Sequence, residues 1–288
     1  MKEPVLMDYI RVVRQSLWLW LVIVVFHVAL AIAAAFYLSP VYRSELIVAP
    51  VPQGSANGLL GNVASQLGGL SQLVGIQDQG AIGKDELIAL LGSREFAREF
   101  IHERKLQPIL FYKIWDATTE TWMVDSEEDV PSEIDAIRAF RENVMQISEA
   151  RRTTGLVTVS FEWIDRHQAA EWATAYLEFA NNKIRQRTIT EAQRSIQYLN
   201  DELAKTSIVE LRTAIYSLIE TQINRIMVAN VRDEYAFKIV DSAFVPDPDE
   251  FVRPNRPLIV LGGFVFGLLM ATVLVVLRQA IRDRGDMQ

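Results

Sequence analysis

Three histidines and one acidic cluster are the chain's candidates for metal or acid–base chemistry. His27 lies in an apolar run, His102 on a predicted helix face and His167 at the start of a second helix, and this spacing is not that of a metal site. The cluster from Asp125 to Asp129 lacks the glycine and the terminal glutamate of a calcium loop, so a solvated loop is expected there. The chain has no cysteine. The sequence therefore predicts no catalytic site, no metal and no cofactor.

A glycine-rich stretch, residues 53–83, is the remaining candidate for phosphate binding. A Walker loop requires Ser or Thr after its Gly-Lys pair, whereas Gly83-Lys84 is followed here by Asp85. Nucleotide binding is not indicated. The leucine and valine spacing between Leu59 and Val74 favours a weak helix over a flexible loop.

Two apolar runs, residues 16–38 and 258–277, have the length of membrane-spanning helices, because about 20 helical residues cross a hydrocarbon core of about 30 Å. The first run is too long for a cleaved signal peptide. Basic residues precede the first run and follow the second, which places both termini in the cytoplasm and the residues between the runs outside it. The alternative, two buried core helices of a soluble protein, is disfavoured by the full span length. The basic residues concerned are Lys2, Arg11, Arg14, Arg278, Arg282 and Arg284.

The charge between the runs argues against nucleic acid as a partner. The two ends hold six of the 29 Lys/Arg and four of the 36 Asp/Glu, so the middle of the chain carries a net charge of −9.

Within the spans, two features suggest how the helices meet. His27 is either a functional intramembrane group or a neutral imidazole bonded to the other span, and we expect the latter. Gly263 and Gly267 form a GxxxG pattern, and alternate residues from Ala29 to Ala35 are alanine, a pattern that predicts close helix contact.

The middle of the chain predicts strands at residues 41–48, 156–163 and 234–244, with helices at 85–104 and 131–145. Serine at position 93 is expected to cap a helical turn. The fold class is therefore an α+β membrane protein with two terminal transmembrane helices, a membrane-proximal α/β periplasmic domain and a long projecting helix. The expected divisions are a lead at 1–15, spans at 16–38 and 258–277, the α/β domain at 39–164, the long helix at 165–231, a returning strand with a proline-rich segment at 232–257, and a tail at 278–288.

The long helix is expected to start after the cap Asp165 and, if unbroken, to be about 100 Å long. Thr206-Ser207 is a possible interruption, because Ser207 and Glu210 have capping-box spacing; a hinge and a continuous helix both stay open. We expect this helix to pack through an apolar stripe against copies of the chain, or against one element of its own chain plus neighbours, rather than inside a single hairpin. The stripe consists of Ile189, Ala192, Ile196, Leu199 and Leu203.

Several segments together resemble the Wzz family of polysaccharide co-polymerases, or chain-length determinants. They are the Met7-Asp8 lead, LVTVSFEW followed by the long helix, and above all VPDPDEFVRPNRPLIVLGG. The family more usually has a serine–proline–lysine/arginine pattern where Asn255-Arg256 stands, a departure that shifts the basic residue but keeps the prolines. The matching positions are Pro246, Pro248, Pro254, Arg256, Pro257, Gly262, Gly263 and Gly267.

This resemblance implies a non-enzymatic protein of the bacterial inner membrane that sets the modal length of a lipid-linked surface polysaccharide such as O-antigen. Its implied partners are a Wzy-type polymerase, the lipid-linked polysaccharide, membrane lipids and a ring of identical protomers. The tail after Leu277 has no tyrosine and no nucleotide motif, unlike the related autokinases. The alternatives are a periplasmic adaptor of an export or efflux complex and a sensor ectodomain.

Overall fold

The computed structural model describes residues 17–51, 83–149 and 155–285. The predicted lead at 1–15 and the predicted helix between Leu59 and Val74 lie outside these residues. The chain divides into a terminal unit, Met1–Tyr42 with Asp247–Gln288, and a middle unit, Arg43–Pro246.

The elements in chain order are α1 (Leu17–Tyr37), β1 (Val41–Pro50), α2 (Lys84–Leu91), α3 (Arg94–Glu103), α4 (Gln107–Leu110), β2 (Trp115–Asp116), β3 (Thr121–Trp122), a 3-10 turn (Glu127–Asp129), α5 (Glu133–Ala139), a π-helical turn (Phe140–Val144), β4 (Met145–Glu149), β5 (Val157–Trp163), α6 (Arg166–Lys205), α7 (Val209–Val231), β6 (Phe237–Asp241), β7 (Phe251–Arg253) and α8 (Arg256–Gly285).

The terminal unit consists of α1 and α8 with a short strand pair beside them. Trp18–Tyr37 and Arg256–Val275 are each long and apolar enough to cross a membrane, with a mean hydropathy of 2.7. β7 pairs antiparallel with the first two residues of β1, Val41 opposite Arg253 and Tyr42 opposite Phe251. The two terminal apolar helices expected from the sequence are therefore present, and the second starts two residues before the predicted Leu258.

The middle unit is built on strands in the order β4-β5-β1-β6. β4 pairs antiparallel with β5, and β1 with β6. β5 is buried along most of its length, and its Glu162 accepts hydrogen bonds from Arg43 Nε at 2.9 Å and from Gln146 Nε2 at 3.2 Å. Aromatic rings dominate the core between sheet and helices, and the ring centroids of Phe100 and Tyr176 lie 4.9 Å apart.

Two helices of this unit differ from their predicted bounds. The helix expected at 85–104 is two helices, and Ser93 caps the second as predicted, accepting a bond from Phe96 N at 3.2 Å. The helix expected at 131–145 consists of α5 and the π-helical turn Phe140–Val144, and β4 then begins at Met145, where no strand was predicted. Pairing of Met145–Glu149 with β5 decides this local conformation, because a partner strand outweighs weak local propensity.

The long helix is broken. Asp165 caps α6 as predicted, since its Oδ1 accepts bonds from His167 N at 2.7 Å and Gln168 N at 3.2 Å. α6 ends at Lys205, and α7 begins three residues later and packs back against α6. The expected capping box does not form, because the residue before α7 is Ile208 and makes no side-chain cap. Of the two possibilities at Thr206-Ser207, the break is therefore the one that forms, and the long helix α6 packs in a hairpin with α7, the arrangement that was less expected.

The hairpin of α6 and α7 is closed at its base by one buried amide. Asn181 Oδ1 accepts bonds from Ala236 N and Phe237 N, each at 2.8 Å, and its Nδ2 donates to Phe237 O at 3.0 Å. At the other end, the Arg212 guanidinium donates to the carbonyl oxygens of Leu203 and Thr206 at 3.3 and 3.4 Å. α7 thus returns antiparallel to α6 and leads directly into β6.

Candidate functional site

The two terminal helices approach each other at two glycines of the predicted motif. A Cβ atom added at Gly263 would lie 2.3 Å from the Cβ of Ala31, and one at Gly267 would lie 3.0 Å from the Cβ of His27. At Gly262 it would meet nothing within 4 Å. Gly263 and Gly267 therefore lie at the contact between the spans, whereas Gly262 does not.

His27 lies at this same contact but is bonded within its own helix. Its Nδ1 lies 2.8 Å from Ile23 O, one turn earlier. The ring packs against Phe26 and against Phe266 of α8, at centroid distances of 5.8 and 5.7 Å. The expected bond to the other span is therefore not formed, because the preceding carbonyl in α1 satisfies the imidazole.

The proline-rich segment connects the strand pair of the terminal unit to α8. The carbonyl of Pro248 accepts a bond from the Tyr42 hydroxyl at 3.3 Å. The Arg253–Pro254 peptide is cis. Pro257 occupies the first turn of α8, where its missing N–H is not needed, and Asn255 Oδ1 accepts the N–H of Leu258 at 3.3 Å.

Arg256, the basic residue of this segment, lies between two aromatic rings of the terminal unit. Its guanidinium carbon is 4.7 Å from the ring centroid of Phe36 in α1 and 4.4 Å from that of Phe251 in β7. Cation–π contacts of this kind are stronger where water is excluded. The arginine thereby joins α1, β7 and α8. Pro246 belongs to the middle unit, where its carbonyl accepts a bond from Arg166.

The predicted oligomer stripe of α6 is partly covered within the chain. Ala192 is buried, and the other four residues, Ile189, Ile196, Leu199 and Leu203, are half-buried. The outer half of α6 packs against α7 within the chain. The prediction that this stripe packs against other copies stays untested, but much of its surface is already covered.

A second apolar stripe, which the sequence analysis did not single out, is exposed on α7. We call Val209, Tyr216, Ile223 and Met227 the α7 stripe; their exposed fractions are 70, 53, 45 and 53%. Intervals of seven, seven and four residues place them on one helix face. The buried face of α7 carries Ile215 and Ala229 instead. The heptad spacing was visible in the sequence, but which of the two faces is covered depends on the fold of the hairpin.

A cleft in the described part of the middle unit has a volume of about 460 Å³, and its lining includes Arg104, His167, Glu171 and Glu178. No group of three metal-ligating side chains occurs among the described residues. His102 lies exposed on α3, separate from this lining.

Comparison with known proteins finds similarity to one family. Residues 5–103 match the model of the Wzz family, chain length determinant protein. The chain is similar to the solved structure of a full-length bacterial polysaccharide co-polymerase, with 14% identity, a TM-score of 0.44, and coverage of 97% of this chain and 99% of that one. It is also similar to a fragment of WzzB, a polysaccharide co-polymerase from Salmonella Typhimurium, with 14% identity, a TM-score of 0.31, and coverage of 72 and 97%. A search of curated protein sequences found no match.

Of the segments that carried the resemblance, the family match includes only the Met7-Asp8 lead. It takes in α1, β1, α2 and α3, whereas the proline-rich motif lies outside it. The match also includes residues 53–103, which contributed nothing to the resemblance described above. The match covers roughly a third of the chain. This match to residues 5–103 confirms the resemblance of the chain to the Wzz chain-length determinant family.

Proposed function

We propose that this chain is a non-catalytic regulator of the modal length of a lipid-linked surface polysaccharide, such as O-antigen, in the bacterial inner membrane. It acts as an oligomeric periplasmic scaffold that works with a Wzy-type polymerase. Both termini lie in the cytoplasm and residues 39–257 lie in the periplasm.

The observation that carries this proposal is the family match at residues 5–103, which supports a chain-length regulator role. The two apolar terminal helices agree with an inner-membrane protein. The orientation follows from the basic residues that precede the first helix and follow the second. With both ends of the chain held at one membrane, the protein is anchored at the membrane where a lipid-linked polymer is elongated.

The scaffold part of the proposal is supported by the α7 stripe. This stripe places four large apolar side chains on one exposed helix face. Between Tyr216 and Ile223, Glu220 is the only charged residue. Exposed apolar surfaces of this kind are typically covered by another protein. Heptad spacing suits the helix of a second copy. We therefore assign self-association to the α7 stripe and not to the α6 stripe, because the α6 stripe is already buried or half-buried within the chain.

A charge placed in the stripe tests this assignment. Ile223→Glu puts a carboxylate into the buried interface and is expected to yield smaller assemblies, because an unpaired buried charge is costly. Thr221→Glu adds the same charge to an exposed position of the same helix, outside the stripe, and serves as the control. The measurement is the size of the assembly in native membranes after chemical crosslinking. An Ile223→Glu variant that assembles like Thr221→Glu would remove the α7 stripe from the interface.

The length-control function is tested by gel banding of the polysaccharide from a deletion strain, with and without the restored chain. We expect the modal cluster of bands to disappear on deletion and to return on complementation, while polymer is still made. Identical banding in both strains would end the proposal. In that case the exposed hairpin of α6 and α7 would favour the adaptor alternative, which predicts copurification with an outer-membrane channel.

A further inference from the structure

The segment after α4 forms a small β-hairpin rich in aromatic residues. We call residues Trp115 to Trp122 the tryptophan hairpin. Trp115 is paired with Trp122 across β2 and β3, and Asp116 with Thr121. The two indole rings meet edge to face, with centroids 4.8 Å apart at 64°. In such a pair, the ring that contributes its edge keeps both faces free of its partner.

These two tryptophans differ from the tryptophans that serve the core. Trp163 is buried, and its indole N–H donates to Gln168 Oε1 at 2.8 Å. Trp115 and Trp122 are only half-buried, and their indole N–H groups have no acceptor among the residues that the structure describes. Tyr112, three residues before Trp115 in the chain, is 42% exposed, and its ring packs against Trp163. The hairpin therefore offers partly open ring surface together with available hydrogen-bond donors.

The turn of the hairpin adds a fixed polar edge to this aromatic surface. Asp116 Oδ1 accepts the N–H of Thr118 at 2.8 Å, and Oδ2 accepts the Thr119 hydroxyl at 2.9 Å. The hydroxyls of Thr119 and Thr121 lie 2.7 Å apart. The bonds from Thr118 and Thr119 lower the pKa of Asp116, so its carboxylate stays charged at neutral pH. The hydroxyls and the carboxylate are thereby held in place beside the rings.

The surrounding charge limits the class of ligand. Residues 113–129 contain one lysine and six carboxylates. Such a surface repels polyanions and leaves an uncharged ligand unaffected. A ligand of the tryptophan hairpin must therefore present an apolar face to the indole rings. It must also carry hydroxyl groups that can bond the polar edge, and it must not carry a high negative charge. Pyranose rings have this combination, since their C–H groups form an apolar face and their hydroxyls lie at the rim.

We propose that the tryptophan hairpin is a binding site for uncharged sugar units of a polysaccharide. This inference rests on the proposed function for its biological ligand, the polymer whose length the chain regulates. An indole ring stacks on one face of a sugar unit, and the indole N–H groups and the threonine hydroxyls bond its hydroxyls. Through the hairpin, the protein thus contacts the polysaccharide whose length it regulates.

The test uses the full chain in lipid nanodiscs and the surface polysaccharide of the same strain, released from its lipid by mild acid. Binding is measured by biolayer interferometry. We expect Trp122→Ala to weaken binding by about tenfold, which corresponds to roughly 1.4 kcal/mol. Tyr198→Ala removes an exposed aromatic residue from α6 and is expected to bind like the unaltered chain. A chemically sulfated form of the same polysaccharide is expected to bind about tenfold more weakly.

Hydroxyl-radical footprinting keeps the test independent of the fold of the variants. Bound polysaccharide is expected to protect Trp115, Trp122 and the neighbouring exposed Met123 from oxidation, and to leave Tyr198 unprotected. Absence of binding by the unaltered chain, or equal binding by Trp122→Ala, or no protection at the hairpin, would each overturn the site.

Failure of the site is distinguishable from failure of the proposed function. Modal banding that depends on the chain, combined with no polysaccharide binding, rejects the hairpin site and leaves length control intact. Protection of the hairpin combined with unchanged banding on deletion rejects length control and leaves the sugar site intact.

Discussion

The neighbouring glycines of α8 allow one sharp test of how the spans contact each other. Gly263→Ala places a Cβ 2.3 Å from the Cβ of Ala31, where ordinary contact starts at 3.4 Å. The helices must therefore separate locally by about 1 Å, and overpacking of this kind costs about 1–3 kcal/mol. Gly262→Ala meets nothing within 4 Å and makes the same chemical change one residue earlier.

The control also removes the effect of helix propensity. Alanine stabilises a helix interior relative to glycine by about 0.5–1 kcal/mol, and this gain applies to both variants. The difference between the two variants therefore isolates the contact with α1, and we expect Gly263→Ala to be less stable than Gly262→Ala by about 1–3 kcal/mol.

The assay follows separation of the spans during unfolding of the full chain in mixed detergent micelles. The chain has no native cysteine, so Tyr37→Cys and Leu258→Cys can carry a donor–acceptor pair. Both positions are exposed, at 93 and 63%, near the end of α1 and the start of α8. Equal unfolding free energies for Gly262→Ala and Gly263→Ala would refute the predicted contact.

Two further predictions concern the middle unit. Asn181→Ala should lower the free energy of unfolding by about 2–4 kcal/mol in chemical denaturation, because it leaves buried backbone groups of residues 236 and 237 without partners. Asn182→Ala, at the neighbouring exposed position, should lower it far less. Equal losses of unfolding free energy in the two variants would contradict this prediction. Burial raises the pKa of Tyr176, so the unfolded chain ionises first, and stability is complete below about pH 10 and declines above it. Tyr176→Phe, which also loses the bond to Leu91 O, should weaken this alkaline decline; an unchanged pH profile of unfolding would contradict it.

Elements that depend on neighbouring residues were predictable from the sequence. Ser93 and Asp165 cap their helices through bonds that span two or three residues, and both caps form. The apolar terminal helices follow from composition and length alone. A break near Thr206 was one of two possibilities that the sequence left open. The spacing of Ser207 and Glu210 suggested a capping box at this break, but that capping box does not form.

Elements that depend on distant partners were not predictable. β4 exists because Met145–Glu149 has β5 beside it, and nothing in its own residues excludes continuation of the helix. The contacts of Arg256 with Phe36 and Phe251 join α1, β7 and α8, which sequence order does not bring together. For the glycine motif, the pattern predicted close contact, but only the packed helices show that Gly262 faces away from it.

The most direct test of the central claim is the length distribution of the surface polysaccharide in a strain from which the gene has been deleted. The strain carries, in turn, no copy, the unaltered chain, or the Ile223→Glu variant at an equal membrane level. We predict a modal cluster with the unaltered chain only, and polymer of scattered length in the other two strains. A modal cluster that persists without any copy would contradict the account of this chain as the determinant of polymer length.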